Sequence, residues 1–93
     1  MNIVTLLKTS TNESGDAVDF SRDITRNKSG IVQVSGVDAA CNTLVEGRLT
    51  ADAGWVEIVS FTGNGAKACL TFPEVRATTT DNTSTDVLIQ MGA

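Results

Sequence analysis

Hydrophobic and polar residues alternate one by one along most of this chain, and that rhythm defines its elements. It is clearest between Asn42 and Phe61. Thr43, Val45, Gly47 and Leu49 interleave with Leu44, Glu46 and Arg48, the period of two that a pleated strand imposes on its faces. The tetrapeptide Ala51-Asp52-Ala53-Gly54 supplies a turn. A second strand follows from Trp55 to Phe61, rich in aromatic and β-branched residues. This hairpin is the centre of the expected fold.

The same rhythm assigns the other strands. Ile3 to Lys8 carries Val4 and Leu6 on one face and Ile3, Thr5 and Leu7 on the other. Ala17 to Phe20 points Val18 and Phe20 inward, and Ile31 to Ser35 points Val32 and Val34 inward. Lys67 to Phe72 places Ala68, Leu70 and Phe72 inward with Lys67, Cys69 and Thr71 outward. Pro73 ends that ladder. Glu74 to Thr80 then buries Val75, Ala77 and Thr79, and Asp86 to Met91 buries Val87, Ile89 and Met91. On these registers aspartate at Leu70 or at Ile89 would bury an unpaired charge and unfold the domain.

Thr9 to Asp16 and Asp81 to Ser84 read as polar loops, Gly36 to Ala40 as a bend, and Gly63-Asn64-Gly65 as a turn of the Asn-Gly kind. Ser21 to Ser29 reads as an irregular connection, with one helical turn capped by Ser21 as the alternative. No segment has helical periodicity. About seven or eight short strands, with turn signals every 8–12 residues or so, specify an all-β antiparallel sandwich of jelly-roll or immunoglobulin-like type. It is a single domain over residues 1–93, with residues 1–9 as an N-terminal arm or an edge strand.

One strand has two solutions. If Glu57 faces water, Val56 and Ile58 face the core, and Trp55, Val59 and Phe61 form an apolar outer patch that would mark a partner surface. A bulge within the strand would instead re-aim it and bury the aromatics.

Composition narrows the function. A chain of 93 residues hides only about 60–65% of its unfolded surface, so its core is thin and association would add burial. The net charge of −4 opposes a duplex nucleic-acid binder, which needs a basic face. No apolar run approaches the ~20 residues of a membrane span. The opening MNIVTLLKTSTNE lacks a basic n-region and a cleavage site, so it does not read as a signal peptide, and a cytoplasmic origin is expected. Cys41 and Cys69 read as two small, partly buried thiols, with one bridge between neighbouring strands as the alternative.

Catalytic chemistry has little to work with. The chain has no His and no Tyr, so His-based triads cannot be built. Asp16 and Asp19, with Glu13 nearby, are a conceivable carboxylate pair. Asn12, Glu13 and Asp16 are a conceivable calcium loop without regular ligand spacing. A solvated polar loop explains both sets, and no cofactor or metal is expected. Glycosylation triplets at Asn12, Asn27 and Asn82 carry no weight without a secretory signal. Arg48, Arg76 and Lys67 share outward positions with Glu46, Glu57 and Glu74, as ordinary cross-strand pairs or as a docking face.

Val45-Glu46-Gly47 with Leu49, Trp55-Val56, Phe72-Pro73 with Val75-Arg76-Ala77, and the closing run Thr85 to Met91 together resemble small β-sandwich virion proteins of tailed bacteriophages. The resemblance covers a little over half the chain, with VTLLK and AVDF matching more loosely. It implies a non-enzymatic structural protein. The expected role is a head decoration, or cement, protein on the capsid exterior, assembled in the host cytoplasm, binding the major capsid protein and itself, often as a trimer. A tail, neck or fibre component is one alternative, and a small glycan-binding adhesion module another. The partner surface expected on this reading draws on Ile3, Leu7, Trp55, Val59, Phe61, Arg48 and Arg76. Neither nucleic acid nor membrane is an expected partner. The Val37 to Cys41 bend and the cysteine pair have no counterpart in the resemblance.

Overall fold

A computed structural model describes residues Met1–Ala93 as nine antiparallel strands without a helix. They are β1 (Ile3–Thr9), β2 (Glu13–Ser14), β3 (Val18–Asp19), β4 (Ser29–Ser35), β5 (Asn42–Arg48), β6 (Val56–Phe61), β7 (Gly65–Leu70), β8 (Glu74–Thr80) and β9 (Val87–Gly92). Sheet I has the order β1-β9-β4-β7. Sheet II has the order β2-β8-β5-β6, with β3 also on β8. The two pack as a sandwich.

The pairing is nested. β5 pairs with β6, β4 with β7, β3 and β2 with β8, and β1 with β9. The chain is one long hairpin folded over itself, and its tip is the turn closed by the Ala53 amide on the Thr50 carbonyl. Pairing of β4 with β9 and of β5 with β8 completes the sheets. With β2 and β3 counted as one interrupted strand, this is the jelly-roll order. The segment Ser21–Arg26 is a run of turns, and the Ile24 and Asn27 amides reach the Phe20 and Asp23 carbonyls.

Fourteen buried apolar residues form the core between the sheets. Val32, Val34, Val75, Ala77, Thr79, Val87, Ile89 and Met91 all point inward as their alternation requires. Gly47 also faces inward, and its missing side chain is a packing feature. A β-carbon there would lie 2.6 Å from the Phe72 ring and 2.7 Å from Ile58 Cδ1. Gly36 has φ +81°, and a β-carbon there would lie 2.2 Å from the Asp86 carbonyl oxygen, so the chain turns out of β4 only with glycine at this place. Asn64-Gly65 does not form a primed hairpin turn, because neither residue has positive φ and β6 and β7 belong to different sheets.

Three registers depart from simple alternation. In β1 the pairing with β9 shifts between Thr5 and Leu7. That bulge lets both Leu6 and Leu7 point inward, so Leu7 is a core residue and not part of an outer face. In β6 the pairing with β5 shifts at Ile58, between the Val45–Val59 and Glu46–Glu57 pairs. This bulge is the second of the two sequence solutions for Phe61, whereas Trp55 is not brought into the core and stays half-buried on the outer face. The bulge turns Val59 and Phe61 toward the core, while Glu57 stays outside and Val56 is exposed.

β7 reverses the expected register. Leu70 is 65% exposed, Ala68 is exposed, Cys69 is partly buried and Thr71 is buried. Lys67, opposite buried Val32, points to the inner side at the open mouth of the sandwich. It donates from Nζ to the Ser60 carbonyl at 2.6 Å and lies 4.9 Å from the Phe61 ring centroid. The ammonium therefore closes an edge, and the parity that Lys67 suggested is inverted. Phe72 still reaches the core, because the chain has left β7 and crossed to sheet II by then.

Ile89→Asp is expected to abolish cooperative thermal unfolding, because Ile89 is fully buried. Leu70→Asp is expected to melt within a few degrees of the parent, and its loss of the folded baseline in circular dichroism would refute the β7 register. Gly47→Val is expected to cost about 1–3 kcal/mol in urea titration through overpacking against Phe72.

Candidate partner interface

The outer face of sheet II gathers three of the residues singled out from sequence. On neighbouring strands β5 and β8, Glu46 lies opposite Arg76 and Arg48 opposite Glu74. Both pairs close, with Arg76 Nε 3.2 Å from Glu46 Oε1 and an Arg48 Nη atom 3.0 Å from Glu74 Oε1. Trp55, just ahead of β6, lies against both guanidinium groups, whose central carbons are 4.2 Å (Arg48) and 4.4 Å (Arg76) from its ring centroid. The Arg48 Nε is buried there without a hydrogen-bond partner. A cation over an aromatic face contributes about 0.5–1 kcal/mol, and more as it is desolvated. Both arginines on this face are thus matched by glutamates, Glu57 and Asp19 stay exposed opposite Glu46 and Glu74, and the tryptophan is half-buried.

The outer face of sheet I has the opposite character. One row across it runs Ile3, Gly92, Ile31, Ala68, by the pairing of β1, β9, β4 and β7. The next runs Thr5, Gln90, Gln33, Ala66. Neither row holds a charge. Ile3 is 66% exposed and Ile31 48% exposed, with Leu70 beside them at the end of β7 and Met1 folded over Gly92. The following row, Lys8, Leu88, Ser35, does carry a charge, and Lys8 lies 3.7 Å from Asp86.

The residues expected to form one surface are therefore divided. Trp55, Arg48 and Arg76 stand together on sheet II, and Ile3 stands on the far side of the molecule on sheet I. Leu7 and Phe61 are buried and Val59 is packed against the core, so none of these three presents a side chain to a partner. Ile31 and Leu70 were assigned no surface role from sequence. Ile31 sits between a glycine and an alanine in its row, and that neighbourhood exists only across strands. β1 is an edge strand paired with β9 along its length, which replaces the free N-terminal arm.

The polar loops are tied to one another. Asp38 accepts hydrogen bonds from the Thr85 amide and hydroxyl, which hold its carboxyl below the usual aspartate range. The Ala39 and Ala40 amides donate to Ser84 Oγ and Thr83 Oγ1, and Asn64 brackets Val37 through its N–H and carbonyl. These contacts hold the Val37 to Cys41 bend. Asp19 is likewise held low by the Ser21 hydroxyl and amide. Glu13 takes the Thr9 hydroxyl at 2.7 Å and Asn12 takes the Asn82 amide at 2.9 Å. The Asn12 and Glu13 side-chain oxygens of the conceivable calcium loop are thus engaged in closing the loop. Cys41 and Cys69 are free thiols, and burial pushes the Cys69 thiol up. No helix is long and apolar enough to cross a membrane.

No protein-family model matches the chain, and no curated protein or solved structure matches it.

A double-mutant cycle on Trp55→Ala and Arg76→Ala is expected to give a coupling of about 0.5–1 kcal/mol in urea melts. The Arg76→Ala single variant should also shift the emission of the only tryptophan. Zero coupling with unchanged emission would mean the stack is absent in solution. Asp38 has a lowered folded pKa, so its contribution is present above the unfolded value near 3.8 and is lost as pH falls through the lower folded value. The Thr85 amide resonance should accordingly titrate with a midpoint below 3.8; a midpoint at or above it would exclude the bond.

Proposed function

We propose that this protein is a non-enzymatic structural component of a bacteriophage particle, most specifically a capsid decoration protein that binds the outer head surface and strengthens contacts between major capsid proteins. The observation that carries the reading is the outer face of sheet I, whose central rows hold no charge, with Met1, Ile3, Ile31 and Leu70 exposed on a domain with only fourteen buried apolar residues. A small domain that keeps large apolar side chains outside gains burial by assembling. A lattice that binds only the folded form adds to its stability. The sequence resemblance to small phage virion proteins supplies the kind of assembly. The jelly-roll order occurs in viral shell proteins and also in lectins, so it agrees with the reading by analogy alone.

Self-association and binding to the major capsid protein both belong to this proposal, as does a place on the capsid exterior. The glycan-binding alternative would need a free aromatic platform. Trp55 is the candidate, and it is engaged by Arg48 and Arg76.

Quantitative mass spectrometry of particles from cells that make this protein tests the reading. Hundreds of copies per particle are expected. A handful would move the protein to the tail or neck, and absence from particles would overturn the proposal. Saturable binding on a glycan array that Trp55→Ala abolishes in a folded protein would favour the adhesion module.

A further inference from the structure

Asn64 is exposed in the turn between β6 and β7 and is followed by Gly65. The chain's other asparagines precede Ile3, Glu13, Lys28, Thr43 and Thr83, so only Asn64 has a neighbour without a side chain. The backbone nitrogen of the following residue is the nucleophile closest to an asparagine's amide carbon, and a β-carbon on that residue obstructs its approach. The fold itself does not call for glycine at this position. Gly65 has no positive φ, and a β-carbon there would lie 3.6 Å from the Phe61 ring, an ordinary contact. What glycine changes here is reactivity. The Asn64 side chain is meanwhile held by another segment. Its Oδ1 accepts from the Val37 amide at 2.8 Å, and its Nδ2 donates to the Val37 carbonyl at 3.0 Å. This bracket ties the bend after β4 to the turn before β7.

We propose that Asn64 is a site of self-modification, in which its side-chain amide closes on the Gly65 nitrogen and reopens as an acid, at a pace set by the Val37 bracket. The Gly65 nitrogen bonds to Asn64 Cγ and gives up its proton. The Cγ–Nδ2 bond breaks, and Nδ2 leaves with that proton as ammonia. Water then adds to one of the two carbonyl carbons of the cyclic imide. Opening at Cγ restores the main chain with an aspartate side chain. Opening at the Asn64 backbone carbonyl carbon leaves the main chain running through Cβ and Cγ, which is isoaspartate. Water is the only co-reactant, and nothing is oxidised or reduced. Closure makes Cγ tetrahedral and expels Nδ2, so the amide must first leave Val37. The folded chain therefore reacts only through openings of the bend. Either product lacks the donor that served the Val37 carbonyl, and either adds a negative charge to a chain of net −4. The step is one-way, and it unties the bend from the turn before β7.

The test holds the purified, folded chain in mildly alkaline buffer, digests samples at intervals and weighs the peptides by mass spectrometry after chromatography. Asn64 is expected to turn acidic ahead of Asn12, Asn27 and Asn82, and to give two products of equal mass that separate on the column. Gly65→Ala should slow the conversion at least tenfold while circular dichroism stays near the parent's. Unfolding the parent in urea should speed it. Asp38→Ala removes the hold of Thr85 on the bend and leaves the reacting atoms untouched. It should speed the conversion severalfold in native buffer, in a chain still folded by circular dichroism, and leave the rate in urea unchanged. Asn64 reacting no sooner than the other asparagines overturns the modification site. So does aspartate as the sole product, which would mean direct hydrolysis without the imide, or a rate indifferent to Gly65→Ala. Equal rates in the folded and unfolded parent, or a native rate indifferent to Asp38→Ala, would overturn the part given to the bracket.

Discussion

Extended backbone sends successive side chains to opposite sides, and a two-sheet molecule has one inside to offer them. Every strand here must choose a parity, and a single extra residue reverses that choice for all that follow. The bulge at Leu6 brings two adjacent leucines into the core of a strand whose strict alternation would expose one. The bulge at Ile58 lets Glu57 stay in water while Val59 and Phe61 turn inward. Without these two irregularities the core would lose Leu7 and Phe61, among its larger members.

The nested pairing gives this constraint its reach. Because β5–β6 is the innermost pair and β1–β9 the outermost, each inner pair positions the next one out. The inner hairpin also holds the closest-packed point of the sandwich, where Gly47 leaves room for Phe72 and Ile58. The far end is secured by polar contacts. Asp38 with Thr85, and Asn64 with Val37, bind the bend after β4 to loops far away in sequence. A thin core is thus supplemented at its rim by side chains acting as extra backbone partners.

The two outer faces divide the chemistry. Sheet II collects Glu46, Arg76, Arg48 and Glu74 into matched pairs beneath the tryptophan, which fixes strand register and satisfies charge locally. Sheet I leaves a partly apolar face on which Ile3, Ile31 and Leu70 stay exposed.

Composition and period were enough to establish the all-β sandwich, most strand boundaries and the inward sets of β4, β8 and β9. These are local properties: β-branched residues two apart have one satisfactory placement when one side is dry. The pairing of Arg48 and Arg76 with glutamates was legible too, since opposite charges at matching positions on outward faces attract. Other features depend on residues distant in the chain. Lys67 marks an outward parity only if no carbonyl awaits it on the inside, and Ser60 provides one across the mouth of the sandwich. The same inversion exposes Leu70 and places it near Ile31 and Ile3, which approach one another only once β7, β4, β9 and β1 lie side by side. Whether a strand bulges, and which of two nearly equivalent faces it buries, is settled by the partner strand, because the energy difference lies in contacts that the isolated segment does not possess.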